Sequence, residues 1–155
     1  MNTPRGLLTV LACLTVSACA LPDESIAPEA ASIPHQDVDV LPGDIRDGTA
    51  NFTGVIIYGD KGYTGLVGDR PYPNVRINDV PIGKCEKRRA MVVPLAPGTH
   101  KVSAHSENNV VHSVTLAEGE ARYFRCSFLR IGGIVFPPAV LKPADAQTAY
   151  EVVNN

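Results

Sequence analysis

From residue 51 onward the chain alternates between short apolar runs and clusters of turn-forming residues. "NFTGVIIYG" (51–59) is apolar and β-branched and predicts a buried strand. "NVRIND" (74–79) alternates, which places Val75 and Ile77 on one side. The Asn78-Asp79 pair ahead of "VPIGKC" predicts a tight hairpin. Strands follow at 89–95, broken by "APG", at 99–106, and at 108–116 after a turn at Glu107-Asn108-Asn109. A turn at Glu118-Gly119-Glu120 leads into a long strand with Phe124, Cys126 and Phe128 on one face. "GGIVFPPAVLKP" reads as a last extended stretch and "ADAQTAYEVV" as one short helix. Strands at this spacing predict an all-β domain, a small antiparallel β-sandwich of about seven to eight strands with a short C-terminal helix.

Composition supports that picture. Thirteen Gly and thirteen Pro in 155 residues favour turns and strands over helices. The net charge of −2 gives no basis for a nucleic-acid partner. It conceals an asymmetry, however. Residues 20–47 carry seven acids and one base, whereas residues 48–155 carry twelve Lys and Arg against nine Asp and Glu. The shift marks a boundary between an acidic, Pro- and Ala-rich arm and a mildly basic domain. With Pro at 22, 28, 34 and 42 and no sustained period, the arm (19–47) reads as a flexible tether ahead of a domain at 48–155.

The first 18 residues have the layout of a secretory leader: a short basic start, an apolar run "GLLTVLACLTV" (6–16), then small residues. The run is too short to span a bilayer as a stable helix. Val16-Ser17-Ala18-Cys19 is similar to a bacterial lipobox, in which small residues admit an extended backbone to the peptidase and the Cys thiol takes the diacylglycerol. Val10-Leu11-Ala12-Cys13 has almost no apolar run before it and is set aside. The expectation is cleavage after Ala18 and lipidation of Cys19, with palmitate-type chains making the membrane a partner. The alternative is an ordinary cleaved leader with Cys19 a plain thiol. Because Ala20 follows in place of Asp, the expected location in a Gram-negative cell is the outer membrane, facing the periplasm.

Three turns in fixed order also carry a resemblance: the hairpin at 75–83, "LAPGTHKV" at 95–102, and the Gly119 turn leading into Tyr123-Phe124. This layout resembles a family of uncharacterised small bacterial lipoproteins whose domain is related to PEGA-type β-sandwiches. The literal P-E-G-A tetrapeptide is absent. The resemblance implies a fold and an envelope location, and implies no activity.

Cys85 and Cys126 remain in the domain. They are read either as a disulfide, which an oxidising compartment favours, or as two buried thiols. No C-x-x-C redox arrangement is present. His100 and His105 point to opposite faces of one strand and His112 neighbours His100 across strands, with no third ligand to make a metal site. No metal or other cofactor is therefore expected.

Two stretches stand out as binding candidates. "YGDKGYTGLVGDRPYP" (58–73) has Gly at every third position from 59 to 68 and three tyrosines, Tyr58, Tyr63 and Tyr72, suited to a glycan or protein partner. "KCEKRR" supplies Lys84, Lys87, Arg88 and Arg89 at an expected hairpin tip, suited to phosphates or carboxylates. The bland readings are a mobile connection and a solubilising turn. Neither a G-x-S-x-G elbow nor grouped carboxylates are visible, so the expectation is a non-enzymatic envelope module. The alternatives are a small-ligand or metal carrier and a cell-wall hydrolase.

Overall fold

In a computed structural model, residues 32–60, 72–129 and 138–155 are described. Among them are nine strands in two sheets and two short helices. The strands are β1 (Gln36–Val38), β2 (Gly54–Gly59), β3 (Asn74–Ile77), β4 (Val80–Lys84), β5 (Ala90–Pro94), β6 (Gly98–His105), β7 (Asn109–Leu116), β8 (Ala121–Phe128) and β9 (Ala139–Ala144). The helices are α1 (Gly43–Arg46) and α2 (Ala146–Asn154). One sheet has the order β1-β5-β2-β8-β9, the other β4-β3-β6-β7. The expected all-β sandwich with a C-terminal helix is the observed fold.

The β3–β4 hairpin follows directly from its sequence. Ile77 pairs with Val80, so Asn78 and Asp79 form a two-residue loop. Both take positive φ, at 49° and 68°, as a type I′ turn requires. Val75 and Ile77 point into the space between the sheets and are fully buried. They pack there with Val55, Ile57, Val93, Val102, Phe124 and Leu141, so the main core draws on both sheets.

Three features depart from the expectation. First, β2 pairs in parallel with β8, from Gly54↔Ala121 to Gly59↔Cys126. The two strands are distant in the chain, so no hairpin imposes opposite directions on them. Second, the five-stranded sheet is covered on both faces. Ile56, Tyr58 and Ala90 lie on its outer face beneath Leu41, Ile45, Ala149 and Val153 of the N-terminal segment and α2. This is why all six residues of β2 are buried, and why its sequence is a continuous apolar run rather than an alternation.

Third, the body begins before residue 48. Residues assigned by composition to the tether form β1, which pairs with β5 from Gln36↔Val92 to Val38↔Ala90, and α1, which buries Ile45. The joint with the C-terminus is specific. The Leu41 N–H donates to Asn154 Oδ1 at 2.8 Å, and Asn154 Nδ2 donates to the Leu41 carbonyl at 2.9 Å. The Arg46 guanidinium lies 5.4 Å from the centre of the Tyr150 ring. At the other end of α2, the Asp145 side chain accepts from the Thr148 N–H, an N-cap that holds its carboxyl below the usual carboxylate range.

Tyr58 is wholly buried, and its hydroxyl has no hydrogen-bond partner among the described residues. Burial pushes its pKa up to about 12. The fold therefore favours the neutral phenol. That contribution is complete below the ordinary tyrosine value of about 10 and is lost as pH rises from there toward 12. Tyr58→Phe removes an orphan hydroxyl. It is expected to leave stability unchanged or to raise it by about 1 kcal/mol at neutral pH, and to flatten the alkaline loss. Urea titrations at neutral and alkaline pH test both points. A clear destabilisation with an unchanged alkaline slope would contradict the assignment.

Candidate functional site

The topology gives the sandwich two unlike ends. β2 and β8 run in parallel toward one of them, and β5 and β9 start from it. On the other sheet, Asn74 of β3 pairs with Lys84 of β4 and with His105 of β6, so the same end holds those residues. The segment joining β4 to β5, the turn at Ser106–Asn108 and the departure of the chain from β2 toward Tyr72 are therefore gathered at one pole.

The described ends of the first stretch singled out in the sequence, 58–60 and 72–73, meet the second there. The Cys85 N–H donates to the Pro73 carbonyl at 2.9 Å. Lys87 bridges Gly59 in parallel, the Arg88 N–H donates to the Gly59 carbonyl at 3.2 Å, and the Gly59 N–H donates to the Arg89 carbonyl at 3.0 Å. Residues 85–89 therefore do not form a hairpin tip. They cross from β4 in one sheet to β5 in the other, and the end of β2 is their template.

Gly59 is necessary for this fit. A Cβ there would stand 1.8 Å from the Glu86 carbonyl oxygen, so only hydrogen lets the two backbones approach. The crossover is also tied to β8. Cys85 and Cys126 are buried and lie within disulfide-bonding distance, with Cα atoms 6.1 Å apart.

The individual candidates separate into distinct roles. Tyr58 is a core side chain and is not available to a partner. Tyr63 lies outside the described residues, as do Gly62, Gly65 and Gly68. Tyr72 is 41% exposed beside the crossover. Arg89 is engaged within the fold: its Nε donates to Asp39 Oδ1 at 2.8 Å and its Nη1 to Glu86 Oε2 at 2.6 Å. It clasps the end of β1 to the crossover, a role no spacing rule could reveal, because Asp39 is 50 residues away.

Lys84, Lys87 and Arg88 make no ion pair among the described residues. Lys84 and Arg88 are exposed, and Arg88 holds a left-handed backbone with φ 58°. Of the nearby acids, Glu86 and Asp39 share Arg89 and Asp60 lies 3.7 Å from Arg125, whereas Glu107, in the turn at Ser106–Asn108, makes no ion pair among the described residues. The corner therefore carries three cations that no acid among the described residues pairs with.

The histidines serve other ends. His112 Nε2 bonds the Leu141 carbonyl at 2.9 Å and its ring lies 5.5 Å from that of Phe124, so it links the two sheets. His100 bonds the Ala96 carbonyl at 2.8 Å and Asn78 at 3.1 Å, bracing two turns. Among the described residues, no three His, Cys, Asp or Glu side chains are grouped as a metal ion would need. Comparisons with family models, curated proteins and solved structures found no match.

Proposed function

We propose that this chain is an exported lipoprotein, acylated at Cys19, whose sandwich serves as a non-enzymatic binding or accessory module of the bacterial envelope. The observation that carries the reading is Val16-Ser17-Ala18-Cys19 after a basic start and an apolar run of secretory length. Cys85 and Cys126 support it, since a buried pair poised for a disulfide suits an oxidising compartment. In this reading the pair is oxidised. The PEGA-type resemblance supports an envelope location, and Ala20 favours the outer membrane of a Gram-negative cell.

The lipid defines how the body is held. Cys19 to Gln36 is 17 residues, which at full extension reach at most about 60 Å. The module therefore works close to its bilayer. Metabolic labelling with an alkyne palmitate analogue tests the anchor. Wild-type protein is expected to label and to partition with membranes, and Cys19→Ser to do neither. Equal labelling of the two would remove the anchor from the reading.

A further inference from the structure

We infer that the pole formed by Tyr72, Lys84, Lys87 and Arg88 binds an anionic glycan, a sugar chain bearing carboxylate or phosphate groups. The inference names a partner for the binding module proposed above and so rests on that reading.

The chemistry is assembled on one small surface. Lys84 ends β4, Lys87 and Arg88 follow within the next four residues, and none of the three makes an ion pair among the described residues. Lys84 and Arg88 are exposed and Lys87 is half-buried, and cations on a rigid backbone offer a fixed charge pattern to an anion. The rigidity has three sources here: the template of Gly59, the Cys85–Cys126 pair and the Arg89 clasp. Arg88 holds a backbone conformation uncommon for a bulky residue, and such strain concentrates at binding sites.

Charge alone would suit any polyanion. The neighbours of the cations narrow the choice to a sugar. Tyr72 is 41% exposed and precedes Pro73, whose carbonyl accepts from the Cys85 N–H, and aromatic rings with a polar tip suit ligands that are apolar on one face and wet at the edge. Lys84, Asn74, His105 and Asn109 are successive partners across β4, β3, β6 and β7, so they form one row on the outer face. Asn74 and Asn109 add amide donors and acceptors to that row, matched to hydroxyl groups.

The test uses the purified full chain in detergent and isothermal titration calorimetry. The probes are oligogalacturonate, a phosphomannan, neutral maltoheptaose and phosphatidylglycerol vesicles. The anionic glycans are expected to bind, with affinity falling as salt is raised, and maltoheptaose to bind at least tenfold more weakly. The triple variant Lys84→Ala/Lys87→Ala/Arg88→Asn, in which Asn tolerates the left-handed backbone, is expected to lose at least tenfold in affinity. Tyr72→Ala is expected to weaken glycan binding about threefold or more without changing thermal stability.

Equal affinity for vesicles and glycans, insensitive to Tyr72, would overturn the inference in favour of a bare electrostatic contact. Binding untouched by the triple variant, or no binding to either anionic glycan, would overturn it outright. A lipid label on Cys19 with no glycan binding sinks this inference alone. Glycan binding without the label sinks only the anchor.

Discussion

Replacing Cys85 and Cys126 together by alanine is expected to lower stability by about 4 kcal/mol. The pair closes a segment with a sequence separation of 41, and a crosslink of that span removes loop freedom from the unfolded chain. For a domain of this size the loss corresponds to a fall in Tm of about 15 °C. The location of the pair makes the loss matter for the site. Cys126 is in β8, between β2 and β9 of the five-stranded sheet, and Cys85 is the first residue of the crossover, where the chain leaves β4 of the other sheet. A disulfide between them would staple the two layers at the pole that carries Lys84, Lys87 and Arg88. Tryptic mass analysis without reductant, together with thermal melts of wild type and the double alanine variant, tests this. Two free thiols in protein from an oxidising compartment, or an unchanged Tm, would refute it.

How much of this was legible in the sequence depended on whether the information was local. The Asn78-Asp79 turn is written in two residues whose side chains tolerate positive φ, and it forms where expected. The alternation of Val75 and Ile77 is likewise local, and both face the core. The tether boundary was misplaced because composition averages over Leu41 and Ile45, two apolar residues in a polar stretch. A signal was nevertheless available. "GVIIYG" is apolar at every position, and a strand with one solvated face would alternate, so something had to cover the second face.

The candidate site was legible as two stretches but not as one surface. Their meeting depends on Lys87 lying against Gly59, and a parallel contact between distant segments has no local signature. Arg89 looked equivalent to Arg88 in "KCEKRR", and only the pairing of β1 with β5 brings Asp39 to it. Adjacent arginines thus divide, one holding the fold and the other facing outward.

Gly59→Ala is expected to destabilise the protein by about 3 kcal/mol or more, the upper part of the range for overpacking. The added methyl carbon would lie 1.8 Å from the Glu86 carbonyl oxygen and 2.5 Å from its carbon. Both are backbone atoms, so no rotamer change can relieve the clash. The crossover must lift off β2, which breaks the bonds from the Arg88 N–H to Gly59 and from the Gly59 N–H to Arg89. The requirement is one of space, because the Gly59 backbone is not in the left-handed region. Gly43→Ala is the matched control: its Cβ meets nothing within 4 Å, and it lies in α1. That variant is expected to be neutral or slightly stabilising. The same clash predicts a functional loss larger than the fraction unfolded can explain, since it moves Lys87 and Arg88 relative to Tyr72. Calorimetric titration with oligogalacturonate, at a temperature where the variant remains folded, separates the two effects. Wild-type stability in Gly59→Ala would show that the crossover does not rest on this glycine, and unchanged affinity in the folded variant would show that the cation positions do not depend on it.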